Sequence, residues 1–384
     1  MLYLFFLGNH PDISEAEIKM VCNNMVDDAT YTREQKHLFL ETEQSLAIEK
    51  LMDTLGGTIK IAERIAPNAT DQDIITYLLS NTPEGKIVFS LNESEKKGKH
   101  GIDLKKQLKE HDRSIRYVEP KNTATILHNN LVGKKTDLTI YQDQLFATVG
   151  IQPIESLSSR DYDRPGRDSK SGMLPPKLAK MLINLSNIHT EDTILDPFCG
   201  SGTILMEAAS MGYTNLTGTD TSQKAVDDSI KNMEWLEKKS VSAKAAPYKP
   251  VSTIEDINIF KANAEHINKE IAKESIDAVI TEPYMGVPLR GHENKPFLQN
   301  QAKELSLLYT HTFRSLYDIL APNGTVVFIM PQFRHDNTWV IINCIDRIVE
   351  AGFSVEPLTE KSKSLLYWRS GQFVGRMIWK FKKV

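Results

Sequence analysis

Residues 193–203 read Thr-Ile-Leu-Asp-Pro-Phe-Cys-Gly-Ser-Gly-Thr. A short apolar run, Thr193 to Leu195, ends in an acid, Asp196, and a loop of small residues follows. An apolar helical pattern then runs from Ile204 to Met211. This predicts a strand, a tight loop and a helix, with the backbone bared where a ligand can approach. Gly200 and Gly202 form one Gly-x-Gly, and the third glycine of a dinucleotide fingerprint is missing. A nucleoside cofactor is the expectation, and a tight turn of an ordinary α/β protein is the bland alternative.

Outward from this loop the chain alternates strands and helices. Asn215 to Thr219 reads as a strand ending at Asp220, and Ser222 as the cap of a helix to about Lys238. A polar insertion with Pro247 and Pro250 precedes a strand from Asn258 to Lys261. Ile276 to Ile280 reads as a buried strand leading into Thr281-Glu282-Pro283-Tyr284. A long helix (Leu298 to Leu320), a strand (Gly324 to Met330) and a helix (Thr338 to Ala351) follow, and the strands Phe353 to Leu358 and Gln372 to Phe381 close the chain. The expectation is a parallel α/β sheet with a terminal hairpin.

Upstream the texture differs. Leu2 to Leu7, His37 to Thr42 and Lys86 to Leu91 read as strands, and Ser14 with Glu17 as a capping box opening a helix. Helices are expected over Ser45 to Leu55, Asp71 to Ser80, Asp103 to His111 and Asn122 to Leu131. A hairpin should turn at Gln142-Asp143. Small α+β layers are expected here, rather than one large sheet. Residues 155–176 are turn-rich and carry Arg160, Arg164 and Arg167 before Pro175-Pro176 opens a helix. The resulting division is 1–150, a linker over 151–176, and 177–384.

At 384 residues two domains are the natural expectation. No apolar run approaches a membrane span, and Met1 to Leu7 lacks the flanks of a signal peptide. Cys22, Cys199 and Cys344 are too scattered for a disulfide framework or a zinc site, and no histidine has metal-ligand spacing. A cytoplasmic protein without a metal is expected. The net charge of −4 hides a local excess: Lys96 to Lys121 holds nine basic residues against four acids. That stretch is a candidate phosphate-binding face or an ordinary solvated one.

Asp220 stands where a carboxylate can take both ribose hydroxyls, or simply cap a helix. Asn263 could read an adenine amino group or serve as a turn asparagine. Thr281 to Tyr284 lies at the carboxyl end of its strand, where an open α/β sheet receives ligands. Methylating an exocyclic amine needs acceptors that hold its N–H bonds, because its lone pair is delocalised into the ring. A side-chain oxygen and the carbonyl before Pro283 can supply them, with Tyr284 stacking on the base.

Together these motifs resemble the tRNA guanosine 2-amino methyltransferases that carry an N-terminal THUMP region, most of all the branch acting on position 10. The resemblance rests on Asp196 to Thr203, the Glu-Pro-Tyr turn, and the arginine-rich linker with Ser171-Gly172-Met173-Leu174-Pro175-Pro176. It extends to Phe5 to Pro11 and to Tyr367-Trp368-Arg369-Ser370-Gly371-Gln372 through Arg376. It implies a class I, Rossmann-like methyltransferase domain behind an α+β ferredoxin-like/THUMP domain, with S-adenosylmethionine as cofactor and tRNA as partner. A small activating subunit is a further partner it allows. The cofactor would lie on Asp196, Pro197, Phe198, Cys199, Gly200, Ser201, Gly202 and Thr203, with Asp220 and Asn263. Catalysis falls to Thr281, Glu282, Pro283 and Tyr284, and RNA phosphates to Lys105, Lys106, Lys109, Arg160, Arg164 and Arg167. The family usually reads Asp-Pro-Pro-Tyr. Here Thr281 stands for the aspartate, and Glu282, one carbon longer, is expected to act from the next position. The alternatives are a DNA adenine or cytosine amino-methyltransferase, or an RNA-binding protein whose altered turn has lost catalysis.

Overall fold

A computed structural model of the chain describes residues 1–93, 98–167, 173–242 and 257–384. Lys96, Lys97, the linker residues Asp168 to Gly172, and the insertion with Pro247 and Pro250 lie outside the described residues. The chain divides into two compact units. One comprises Met1–Pro11, Cys22–Asp53 and Thr58–Gln152; the other comprises Asp12–Val21, Thr54–Gly57 and Pro153–Val384.

The first unit contains strands β1 (Leu2–Leu7), β2 (Thr30–Glu34), β3 (His37–Glu41), β4 (Thr58–Ala66) and β5 (Ile87–Asn92). After them come β6 (Ile115–Tyr117), β7 (Asp137–Tyr141) and β8 (Gln144–Ile151). Its helices are α2 (Ile48–Thr54), α3 (Asp71–Asn81), α4 (Lys99–Lys109) and α5 (Thr123–His128); α1 (Pro11–Asn23), which follows β1 in the chain, belongs mostly to the second unit. The strands form a single eight-stranded sheet in the order β2-β3-β1-β4-β8-β7-β5-β6, not separate small layers. The join is β4, which pairs with β1 on one edge and β8 on the other. The β7–β8 hairpin turns at Gln142 and Asp143, both at positive φ, as a tight two-residue hairpin requires.

Ser14 and Glu17 do not form a cap. Helix α1 starts at Pro11, so both lie inside it, fully buried. Ser14 Oγ donates to the Gly57 carbonyl at 2.9 Å. Glu17 accepts from Gly56 N at 2.7 Å, Gly57 N at 2.8 Å and Asn184 Nδ2 at 2.7 Å. These bonds explain why residues 12–21 and 54–57 belong with the second unit.

Besides most of α1, that unit contains α6 (Ile154–Tyr162) and α7 (Pro176–Ser186), then β9 (Ile194–Asp196), α8 (Thr203–Ser210), β10 (Leu216–Asp220) and α9 (Gln223–Ser242). Next come β11 (Ile257–Lys261), a 3₁₀ turn (Ala264–Lys269), β12 (Ile276–Thr281), α10 (Lys295–Ile319) and β13 (Leu320–His335). The chain ends in β14 (Thr338–Val340), α11 (Ile345–Glu350), β15 (Phe353–Glu356), β16 (Ser364–Tyr367) and β17 (Val374–Lys383). The helix expected from Thr338 starts only at Ile345, because Thr338 to Val340 pair with β13 instead.

The sheet order is β11-β10-β9-β12-β13-β17-β15, parallel as far as β13 and antiparallel beyond. Its strands are covered on both faces. Ile194, Ile280 and Val327 pack with α7 and α8, while Leu195, Val279 and Phe328 pack with Tyr309 and Phe313 of α10. Chain order reverses between β9 and β12. A cleft is expected outside the carboxyl ends of those two strands.

Candidate active site

The glycine loop leaves β9 at Asp196 and enters α8 at Thr203. It is tied to β10: Cys199 N donates to the Thr219 carbonyl at 2.9 Å, and Gly200 N to Asp220 Oδ2 at 3.1 Å. Gly202 sits at φ +78°, and a Cβ there would lie 2.3 Å from Ser229 Oγ on α9. Only glycine fits. A Cβ on Gly200 would instead project into open space, so the loop presents bare backbone. Cys199 is buried, and burial, with Asp196 and Asp220 nearby, pushes its thiol up, away from a nucleophile's range.

Asp196 is 2% exposed. Its Oδ1 accepts from Thr281 Oγ1 at 2.7 Å and from Phe198 N at 3.2 Å. Burial raises its pKa to about 7; those two donors oppose the rise, and the nearby Asp220 and Glu282 charges add to it. Asp220 also accepts from Ser222 N at 2.9 Å, so its carboxylate holds both the loop and the start of α9. Asn263 caps the 3₁₀ turn, its Oδ1 accepting from Glu265 N at 2.9 Å.

At the neighbouring strand tip, Thr281 is fully buried and turned toward Asp196, and therefore joins the two tips rather than lining an opening. Glu282 accepts from Arg376 Nε of β17 at 2.5 Å. Tyr284 is 54% exposed, and its carbonyl accepts from the buried Tyr309 hydroxyl at 2.7 Å. The turn is thus held from beneath while its ring stays free to stack. Arg376 stood in the sequence only as the end of a motif. Its one signal was a cation between Gly375 and Met377 in an apolar strand.

Two of the arginines expected on phosphates are not available to them. Residues 154–162 form helix α6, which turns Arg160 inward, where Nε and Nη2 grip the Glu207 carboxylate at 2.5 and 2.9 Å. Arg160 is 3% exposed and Arg164 1%. Arg164 Nη1 donates to Thr203 Oγ1 at 2.6 Å, at the first residue of α8. Both residues position the helix behind the glycine loop. Arg167 is exposed, donating to the Tyr162 carbonyl at 3.1 Å. On α4, Lys106 and Lys109 are exposed and Lys105 half-buried; Lys106 reaches Asp103 at 2.9 Å.

Asp196, Asp220 and Glu282 give this end of the sheet three carboxylates and bare loop backbone. With Glu282 already held by Arg376, the acceptors Asp196 and Asp220 and the bare backbone fit a ligand combining a cation with a nucleoside. A concavity of about 370 Å³ elsewhere in the unit is lined by Asn187, Asp277, Asn323 and Lys380; it lies at the amino ends of the strands, away from both motifs.

A model described as an RMKL-like methyltransferase domain matches residues 164–338, which include both strand tips. A second, described as a DNA methylase, matches 31–232 and stops before Thr281. The tRNA (guanine(10)-N2)-dimethyltransferase of Methanothermobacter thermautotrophicus is 26% identical over 162 residues, 42% of this chain and 40% of that protein. A probable tRNA (guanine(10)-N2)-dimethyltransferase of Methanothermococcus thermolithotrophicus is 31% identical over 40% of this chain and 78% of that one. The chain belongs to the methyltransferase family these matches share. The first of these matches spans less than half of the relative's length. TrmN from Thermus thermophilus has the same fold, with a TM-score of 0.51 at 15% identity over the full length of both chains. S-adenosylmethionine is the cofactor this family's fold takes, and Asp196, Asp220 and the open Gly200 fit it. Among the described residues no cluster could hold a metal ion, and no helix is long and apolar enough to cross a membrane.

Proposed function

We propose that this chain methylates the exocyclic 2-amino group of a guanosine in tRNA, at position 10 as its relatives' names suggest. The observation that carries the reading is the juxtaposition of Asp196 and Thr281: one hydrogen bond of 2.7 Å sets the glycine loop beside the Glu-Pro-Tyr turn. When bound on that loop, S-adenosylmethionine would supply a methyl group on a positively charged sulfur. Asp196, Asp220, Asn263 and the backbone from Pro197 to Gly202 would hold it.

The remaining work belongs to side chains at the turn. Glu282 and the carbonyl before Pro283 accept the N–H bonds of the target amine, which localises its lone pair for attack. Tyr284 stacks on the guanine, swung out of its paired arm. Pro283 fixes the direction of the turn. In the first unit Lys105, Lys106 and Lys109, with Arg167 of the linker, would meet phosphates, which position RNA without reading its sequence. The DNA methylase match favours a second reading, methylation of adenine or cytosine, but it does not reach residues 281–284.

Mass spectrometry of nucleosides from tRNA incubated with the protein and labelled cofactor tests both. Label in N2-methylguanosine is the expected result. Label only in methylated adenine or cytosine of added DNA, or none at all, would overturn it. A folded Glu282→Ala protein should lose transfer by about 10²-fold or more.

A further inference from the structure

Arg376 faces the turn from β17, beside Pro331 of β13 and Tyr367 of β16. Strand β17 lies two places from β12 in the sheet, so roughly 10 Å separates their backbones. A side chain must reach far to close that gap. Glu282 and Arg376 do so together, with Nε to Oε1 at 2.5 Å and side chains 12% and 18% exposed. Among the described residues the second oxygen, Oε2, has no hydrogen-bond partner, and it is not among the atoms sealed from solvent.

Resting on the methylation reading above, we propose that Glu282 and Arg376 form a reader of the guanine edge. Arg376 is its positioning residue: it fixes one carboxylate oxygen and leaves the other for the base. A carboxylate paired with arginine offers acceptors only. Guanine presents two donors side by side, N1–H and the 2-amino group. Adenine and cytosine each place a ring-nitrogen acceptor beside their amine, which would face the carboxylate lone pairs. The pair therefore accepts guanine and rejects the other two amino bases. Thr281 cannot take this part, because its hydroxyl is buried on Asp196.

The test uses the full chain, tRNA transcripts carrying guanosine or 2-aminopurine at the methylated position, and S-adenosylhomocysteine titrations. 2-Aminopurine keeps the amine but has an acceptor at N1. Arg376→Gln should slow single-turnover transfer by about 10²-fold while homocysteine-ligand affinity stays at the wild-type value. Arg376→Lys should recover part of the rate. The swap Glu282→Arg with Arg376→Glu restores an ion pair and should recover stability without recovering transfer. Wild type should prefer guanosine over 2-aminopurine by about 10–100-fold, and Glu282→Gln, whose amide can donate, should shrink that preference by about tenfold. Wild-type rates in Arg376→Gln, transfer restored by the swap, or unchanged base preference in Glu282→Gln would each overturn the assignment. A wild type that binds the homocysteine ligand yet labels no guanosine overturns the reaction itself, a different failure from the loss of selectivity alone.

Discussion

Among the described residues, each unit buries one aspartate almost completely, and the two are treated in opposite ways. Asp137 in β7 accepts from Lys60 Nζ at 2.9 Å, Ser90 Oγ at 2.5 Å, Thr148 Oγ1 at 2.6 Å and Asn92 Nδ2 at 3.2 Å. Burial alone would raise its pKa, but Lys60 and the two hydroxyls outweigh it and hold the carboxyl below its ordinary value. Asp196 has two donors on one oxygen and faces Asp220 and Glu282 rather than a lysine, and its pKa rises to about 7. A saturated carboxylate holds a fold together. An undersupplied one fits the proposed role of meeting a ligand's cation.

Opposite consequences are expected when the two residues are replaced. Asp137→Ala leaves Lys60 buried without its anion and should cost about 3–5 kcal/mol, read in a denaturant melt of the whole chain. A loss within 1 kcal/mol (roughly a surface substitution) would mean the pair is not the keystone of the first sheet. Asp196→Asn keeps an acceptor for Thr281 and removes a poorly placed charge. It should raise the melting temperature at pH 8 while weakening S-adenosylhomocysteine binding by about 10–100-fold in calorimetry. Lower stability with intact ligand affinity would place Asp196 in the same class as Asp137.

Legibility in the sequence divides along a similar line. The glycine loop, Asp220 and the Glu-Pro-Tyr turn were legible because local sequence dictates their backbone: Gly202 at positive φ, a carboxylate at a strand end, proline after an acceptor. The single sheet of the first unit was not, because only the two-sided pairing of β4 reveals it. Composition misled at Arg160 and Arg164, where a polar stretch folded as a helix and the turn after it, with both arginines turned in to Glu207 and Thr203. Ser14 and Glu17 have the spacing of a cap, yet their partners at Gly56 and Gly57 lie some forty residues away. In each failure the deciding partner is distant in sequence.

A smaller effect follows from protons. Folded Asp196 keeps a proton up to about pH 7 that an unfolded aspartate sheds near 3.8. Burial, against donors at Gly56, Asn184 and Gly57, does the same to Glu17, raised from 4.5 to about 7. Both contributions are therefore complete below those ordinary values and vanish as pH climbs to about 7. Asp137 works the other way, stabilising above 3.8 and losing that contribution as pH falls through its lowered folded value. Denaturant melts should show the chain less stable at pH 8 than at pH 5, with Asp196→Asn narrowing the difference and Glu17 sustaining the remainder. A ligand bearing an ammonium or sulfonium favours ionised Asp196. Its binding should tighten between pH 6 and pH 8 and release protons, seen as a heat that depends on the buffer. Equal heats in buffers of different ionisation enthalpy would remove Asp196 from the cofactor site.

The smallest expected effect separates exposed cations from buried ones. Arg160 spends its charge on Glu207 inside the protein, whereas Lys106 and Lys109 stand in water on α4, Lys106 paired at the surface with Asp103. An exposed pair of that kind contributes little to stability, so its lysine remains available to a polyanion. Neutralising Lys105, Lys106 and Lys109 to Gln should leave the melt unchanged. It should reduce the slope of log K for tRNA against log salt by about one for each phosphate no longer neutralised. Arg160→Gln should do the reverse, lowering stability by about 3 kcal/mol or more through the orphaned Glu207. Its salt slope should match wild type, because a guanidinium already committed to a buried carboxylate releases no counterions when RNA binds. If both variants changed the slope alike, the distinction between spent and available charge would not hold for this protein.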